Sequence, residues 1–305
     1  MQKFAYLSRV SARRTIRAHQ QKSGLAQGET GVCSSARSSY RDVVIRVRRS
    51  RGRFVLWTAG APRGFARFAE RGWRATAAEI TRVRGAVGRR GRDRGVRGFV
   101  VAIGLCVVIA TVSALDSRHG GQHWVDACCG ERDGDPLRLW VWRLPGSMIA
   151  PPPGLPVWGS LLQVLVVVGI AEASVGRTWT VAVGLAGHVL SGVTARLLID
   201  VGPGVLGGLP PVDRFVLDTG PSAATVALTA YLVVVLRCPI LGTLAATGVV
   251  LGMLAHSDLA GREHVVAWIV GMACGAGHLL LLRRRAAHAS MRDMCGLRTS
   301  IARHS

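Results

Sequence analysis

Asp218-Thr-Gly-Pro-Ser-Ala-Ala-Thr-Val-Ala-Leu-Thr-Ala-Tyr231 decides the fold, because it leads from a polar turn into an apolar run. The glycine permits a tight turn, and the proline suits the first helical position, where its missing N–H is not needed. Ser222 is therefore predicted to begin a helix, with Asp218 or Thr219 as the cap. The N–H groups and partial positive charge of a helix start suit an alkoxide nucleophile or an oxyanion. A simple turn into a helix is the alternative interpretation.

The charge is unevenly distributed along this chain of 305 residues, of which 49% are hydrophobic. Of its 39 Lys and Arg residues, 24 lie in residues 1–98. This asymmetry predicts a basic tail joined to a membrane domain. The arginine bias, with abundant Gly, Ala and Val, is typical of a GC-rich genome. No nucleic-acid-binding motif accompanies the charge, so no nucleic acid is expected as a partner.

The tails on either side of the apolar region are expected to contribute little to the core. Residues 1–98 are predicted to form a basic cytoplasmic tail, mostly disordered, of which residues 1–90 are dispensable for folding. The alternative for residues 65–83 is a basic amphipathic helix on an anionic membrane surface. Residues 286–305 are predicted to form a short second cytoplasmic tail.

Six apolar segments fill the region between the tails and predict an all-α membrane domain over residues 99–285. Each is near the length of a membrane-spanning helix, and few charges interrupt them. The predicted segments are 99–115, 156–171, 179–199, 221–236, 239–255 and 264–282.

The arginines orient this six-helix bundle. The basic flank before the first segment and Arg283-Arg-Arg285 after the sixth lie on one side if there are six spans, so both termini are predicted to be cytoplasmic. Arg177 and Arg237 fall in short loops on that side, and most aspartates fall on the other. The chain is therefore expected in the cell membrane as a multi-pass protein.

This topology places Ser222 and His264 at the external ends of the fourth and sixth segments. Both segments carry a face of small residues below these two side chains, which lets helices approach closely. Such an arrangement suits a Ser–His dyad between packed helices, although small faces also serve packing alone. The faces are Ser222, Ala223, Ala227 and Ala230 on the fourth segment, and His264, Ala267, Gly271 and Gly275 on the sixth.

Four short motifs occur in order along this region. They are Trp142-Arg143 in the first external loop, Glu172-Ala-Ser-Val-Gly176, Gly220-Pro-Ser222-Ala223, and His264 followed by Ala267 and Gly271. In their order and sidedness they resemble the motifs of the rhomboid family of intramembrane serine proteases. The resemblance covers residues 99–283 and is greatest to the divergent rhomboid-like proteins of actinobacteria.

The resemblance implies a serine endopeptidase of the rhomboid type, a hydrolase with Ser222 as the nucleophile and His264 as the general base. It implies no metal and no organic cofactor. The partners would be the lipid bilayer and the transmembrane segments of membrane-anchored proteins. The His-x-x-x-Asn motif of the family is replaced by Pro156 and Ser160, so Ser160 or Gln163 is left to donate to the oxyanion.

A second function remains open at this point: a proteolytically inactive rhomboid-fold protein that binds or escorts transmembrane helices. A small transporter has less support, because no inverted repeat is visible. His188, in the middle of the third segment, is either a functional residue or a neutral histidine bonded to Ser191 or to a carbonyl. The substrate and the oligomeric state are left open by the sequence.

Overall fold

The computed structural model describes residues 44–50, 53–59, 63–152, 156–204, 207–255 and 258–301, with side chains between 67 and 289. Most of the predicted basic tail, residues 1–43, lies outside these ranges. The chain divides into two compact units, Met1–Glu70 and Arg71–Ser305. In the first unit, β1 (Val44–Ser50) and β2 (Arg53–Ala59) pair antiparallel, with Val44 opposite Ala59 and Ser50 opposite Arg53.

Helices make up the second unit. They are α1 (Arg63–Arg94), which begins in the first unit, α2 (Val100–Asp116), α3 (Gly121–Cys129), α4 (Leu137–Ser147), α5 (Val157–Val175), α6 (Arg177–Val201), α7 (Ser222–Val235), α8 (Pro239–Ala255) and α9 (Leu259–Ile301). Two 3-10 helices span Gly95–Phe99 and Pro211–Phe215.

Within the described residues, and with α1 and α2 taken as one run, four helical runs are long and apolar enough to cross a membrane: Arg67–Asp116, Val157–Val175, Arg177–Val201 and Leu259–Ala289. The helices α7 and α8 are apolar but shorter. These helices fit a membrane protein. Their outward faces agree, because large apolar side chains such as Val107, Leu162 and Ile269 are more than half exposed, as lipid-facing residues are in the absence of a bilayer.

The starts of α2, α5, α6, α7 and α8 fall within two residues of the predicted starts. The sixth apolar segment differs. Its helix begins at Leu259, because Asp258 Oδ1 accepts a hydrogen bond from the Gly261 N–H at 3.0 Å and caps it. His264 therefore lies in the second turn of α9 and not at its first residue. The same helix continues to Ile301, where a short tail was expected.

The main core lies between α2, α5, α6 and α7, and small residues bring α9 against it. A Cβ built on Gly271 would lie 2.0 Å from the Ala227 carbonyl oxygen, and one on Gly187 would lie 2.2 Å from the Ala227 Cβ. Side chains at these two glycines would overlap with α7. The helices α6 and α9 thus contact α7 at the level of Ala227; the small faces predicted the contact of α9 but not that of α6. The buried core residues are Ala102, Ile109, Val164, Val168, Ala171, Val183, Leu228, Tyr231 and Leu232.

The basic tail was expected to be mostly disordered, but its residues 63–94 form the helix α1. Glu79 is only 2% exposed. Its carboxylate accepts hydrogen bonds from the N–H groups of Ile240 at 3.0 Å and Leu241 at 2.9 Å. A carboxylate at a helix start satisfies N–H groups that have no partner inside the helix. The part of α1 around Glu79 therefore packs on α8 through an acid that composition alone could not distinguish.

Candidate functional site

Two stretches of chain meet at one end of the bundle, where α4 ends and α7 begins; we call it the polar end. The turn before α7 bonds to the loop around α3 and α4 at three points. Asp218 N–H donates to the Glu131 carbonyl at 2.9 Å, and Gly220 N–H donates to the Ser147 carbonyl at 2.8 Å. Thr219 Oγ1 donates to the Pro151 carbonyl at 3.0 Å. The predicted capping of α7 by Asp218 or Thr219 is wrong, because Pro221 is the N-cap and no side chain caps this helix, while the Thr219 hydroxyl bonds to the neighbouring loop.

Ser222 is the first residue of α7, as the sequence predicted, and Pro221 is the N-cap without a side-chain hydrogen bond. Gly220, with φ of +122°, makes the turn that a residue with a side chain would adopt only under strain. Ser222 is partly buried, and its hydroxyl forms no hydrogen bond within the described residues. It is thus available at a helix start, where an anion is favoured.

His264 lies on the side of α9 that faces α7. One turn further along, Ala267 is fully buried and packs against Ala223 and Ala227. This contact brings the regions of Ser222 and His264 to the same end of one helix pair. The His264 Nε2 is buried without a hydrogen-bond partner, and within the described residues no hydrogen bond joins it to Ser222. An unliganded site often holds its catalytic groups more loosely than the reacting complex does.

A second serine and histidine do form a contact at the polar end. Ser147, at the end of α4, is fully buried, and its Oγ lies 3.0 Å from the Nε2 of His188 on α6. The same Oγ lies 2.8 Å from the Glu131 carboxyl. The His188 Nε2 also lies 3.0 Å from the Leu144 carbonyl oxygen. Of the two expectations for His188, the neutral histidine bonded to a carbonyl fits this geometry, although Ser191 instead donates to the backbone carbonyl of His188.

The carbonyl contact decides what His188 can do. A carbonyl oxygen only accepts, so the contact with the Leu144 carbonyl favours the tautomer that carries the hydrogen on Nε2. A protonated Nε2 cannot take a proton from Ser147, whose own hydroxyl can donate to Glu131. Since Ser147 is also inaccessible, this pair fastens α4 to α6 and does not provide a nucleophile and base.

Several carboxyl groups are buried around these histidines. Glu131, Asp133 and Glu263 are at most 9% exposed, and Asp218 lies between them. Burial raises the pKa of Glu131 to about 8 and that of Asp133 to about 6, and burial also raises the pKa of Asp218. Glu131 therefore holds a proton at neutral pH, which lets it remain beside the other acids.

The Trp-Arg motif is divided between two environments. Trp142 is 81% exposed on α4. Arg143 forms an ion pair with Asp135 at 2.7 Å, with both side chains largely buried. The arginine thereby holds the start of α4 to the loop before it, and the tryptophan points away from the bundle.

The Glu172 motif lies at the opposite end of the bundle and has a structural role. Glu172 is fully buried, and its Oε2 accepts hydrogen bonds from the N–H groups of Val101 at 2.8 Å and Ala102 at 3.3 Å. Its Oε1 pairs with Arg177 at 3.0 Å. The carboxylate thus caps α2 and joins it to α6. Gly176, with φ of +87°, makes the break between α5 and α6.

The oxyanion candidates differ in availability. Pro156 is the N-cap of α5 and has no N–H to donate. Ser160 is 8% exposed one turn into the helix. The Gln163 amide donates to Thr225 Oγ1 and so is already engaged. An apolar cavity of about 110 Å³ lies between α2, α5, α6 and α7 and is lined on α7 by Ala224, Thr225 and Leu228 but not by Ser222.

The remaining predicted or weighed residues lie elsewhere. His278 stacks on Trp179 at 4.2 Å and bonds to the Tyr231 hydroxyl, which fixes it in the core. His256 lies outside the described residues. Among the residues that are described, no group of three or more His, Cys, Asp or Glu side chains could hold a metal ion.

Sequence reasoning missed Ser147, Glu131 and Glu79. None of them belongs to a spaced motif, and each acquires its role only through a contact with a distant segment. The one signal in the sequence that pointed to them was the presence of acidic residues in short segments next to apolar helices. Compared with known proteins, the chain matches no family model and no curated protein.

Proposed function

We propose that this chain is a rhomboid-like intramembrane serine protease with Ser222 and His264 as its catalytic dyad. The observation that carries the proposal is the buried His264 Nε2 without a partner, on a helix that packs against α7 next to Ser222. An imidazole nitrogen left without a hydrogen bond in a protein interior is costly. A general base awaiting a substrate and a nucleophile accounts for it.

In this mechanism His264 takes the proton of the Ser222 hydroxyl as the oxygen attacks a substrate carbonyl. The histidine then returns the proton to the leaving amine, and water hydrolyses the acyl-enzyme by the same exchange. The substrate is the spanning helix of a membrane-anchored protein, unwound near the polar end. The N–H groups at the start of α7 and the Ser160 hydroxyl are the candidate donors to the oxyanion.

The proposal includes six spans, with α7 and α8 crossing the membrane despite their length. The side opposite the polar end supports this arrangement, because Arg97, Arg177 and Arg237 all lie there, in agreement with a cytoplasmic face. A reporter fused to the C-terminus should be active only in a cytoplasmic assay. A periplasmic signal from that fusion would contradict the six-span topology.

Labelling of the purified protein with a serine-reactive fluorophosphonate tests the dyad. We expect the wild type and Ser147→Ala to be labelled, because Ser147 is inaccessible, and Ser222→Ala to remain unlabelled. Cleavage of a co-expressed membrane substrate should follow the same pattern. Equal cleavage by the wild type and Ser222→Ala would end the protease hypothesis.

A binder of transmembrane helices without proteolysis is the second candidate. It is favoured by the oxyanion region, where Pro156 lacks a donor and Gln163 is bonded to Thr225. This function predicts no labelling of the wild type. It also predicts that Ser222→Ala captures photo-crosslinkable transmembrane helices as well as the wild type does.

A further inference from the structure

The helix α1 is fixed to the bundle by two charged side chains that cap helix ends of opposite polarity. Glu79 accepts from the first N–H groups of α8. Arg82 donates to the carbonyls of Leu236, at 3.3 Å, and Arg237, at the end of α7. Each charge complements the partial charge of the helix end that it meets. These two contacts therefore fix which side of α1 faces the bundle, from Glu79 onwards.

The fixed orientation gives α1 three faces with different chemistry. At about 100° per residue, Glu79, Val83 and Ala86 form the face toward the bundle, and Glu79 and Ala86 are buried. Trp73, Ile80 and Val87, spaced by seven, lie about 100° to one side. Trp73 is 37% exposed and Ile80 is 41% exposed.

The opposite flank is basic. Arg82, Arg89 and Arg92 lie about 100° to the other side of the bundle face, and Arg89 and Arg92 are exposed. Over residues 71–97 there are nine arginines against two acidic residues, Glu79 and Asp93, and Glu79 is buried. Within the described residues, no ion pair joins Arg89 or Arg92 to an acid.

The helix turns away from the apolar α2 where the arginines end. Gly95 has a φ of +53°. A Cβ built on Gly98 would lie 2.9 Å from the Arg90 Cγ, so the chain folds back on the end of α1. The helix thus runs across the end of the apolar bundle and does not continue the axis of α2. An apolar flank and a basic flank on either side of a docked face are typical of a helix at the membrane interface.

We propose that Arg89 and Arg92 bind the phosphate groups of anionic phospholipids, while Trp73 and Ile80 lie against the acyl chains. Guanidinium groups bind phosphate oxygens in a bidentate manner, and each basic residue near an anionic bilayer adds to the attraction. Charge complementarity and continuity with the apolar bundle favour lipid over nucleic acid as the occupant. The proposal is independent of the protease.

Native mass spectrometry of the full-length protein in detergent, with added phosphatidylglycerol or phosphatidylcholine, tests this. We expect the wild type to retain phosphatidylglycerol selectively, and Arg89→Gln/Arg92→Gln to bind it about 10- to 30-fold more weakly. The matched control Arg118→Gln/Arg138→Gln removes the same charge from exposed positions near α3 and α4 and should bind as the wild type does.

A charge-conserving variant and the stated contrary outcomes make the result decisive. Arg89→Lys/Arg92→Lys keeps the charge and should retain most of the binding, with unchanged thermal unfolding in all variants. Equal loss in both glutamine variants would overturn the proposal, because it would reflect net charge alone. No loss in Arg89→Gln/Arg92→Gln would also overturn it, as would tighter binding of a short RNA than of phosphatidylglycerol at this face.

Discussion

Two serine–histidine pairs lie at the polar end of the bundle, and they differ in access and in hydrogen bonding. The Ser147 Oγ and the His188 Nε2 are 3.0 Å apart and buried, and each has a further partner in the Glu131 carboxyl or the Leu144 carbonyl. Ser222 is partly accessible, and the His264 Nε2 has no hydrogen-bond partner among the residues that the structure describes. A short distance alone would select the first pair. Catalysis needs a reachable nucleophile and a base with a free lone pair, so the comparison favours the second pair.

The largest expected effect separates the two histidines. His264→Ala should reduce cleavage of a membrane substrate by at least about 1,000-fold with little change in thermal unfolding, because it removes the base alone. His188→Ala should instead lower the free energy of unfolding by about 1–3 kcal/mol, since Ser147 and the Leu144 carbonyl lose a buried partner. Paired cleavage and unfolding assays in detergent measure both. A His188→Ala protein that is stable but inactive would reverse the assignment.

The next effect tests the helix contact on which the accessible pair depends. Gly271→Val should destabilise the protein by about 3 kcal/mol, because the new side chain would overlap with the Ala227 carbonyl. Gly277→Val is the matched control on the same helix, since nothing lies within 4 Å of a Cβ at that position. Unfolding of the two variants in parallel gives the difference. Equal stability would show that α9 does not pack on α7 at Gly271.

A smaller effect is expected at the oxyanion. Ser160→Ala should lower the cleavage rate about 10- to 100-fold, or by about 1.4–2.7 kcal/mol in the activation free energy, by removing one donor and leaving the dyad intact. Gln163→Ala should change the rate less, because its amide already bonds to Thr225. Rates at saturating substrate distinguish the two. A larger loss of rate in Gln163→Ala would show that Gln163 is the more important donor to the oxyanion.

The last effect is a pH dependence of the free energy of unfolding, caused by Glu131 beside the buried pair of Ser147 and His188. Glu131, with a pKa near 8 in the folded protein, binds more protons there than in the unfolded chain between its ordinary pKa of 4.5 and about 8. Its contribution to stability is therefore present below pH 4.5 and is lost as the pH rises to about 8. Glu131→Gln should remove that decline from the stability curve. Identical curves for both proteins would contradict the burial of this carboxyl group.

The residues that the sequence could predict share a local cause. The start of α7 at Ser222 follows from a glycine and a proline before an apolar run, and the small faces of α7 and α9 follow from helical spacing. The capping of α7 could not be predicted in this way. Asp218 and Thr219 have the right chemistry for a cap, but Pro221 takes the N-cap position, and the Thr219 hydroxyl and the Asp218 N–H bond to the loop that holds Pro151 and Glu131.

The apolar helices, the starts of five of them and the arginine-rich flank follow from the sequence alone, because hydrophobic period, proline and glycine act within a few residues. Only the tertiary structure decided which polar groups meet. Glu79 caps a helix about 160 residues away, and Glu131 bonds to Ser147 and Asp218, of which Ser147 also contacts His188. A buried polar group must find a partner wherever the fold brings one, and that partner leaves no periodic trace in the chain.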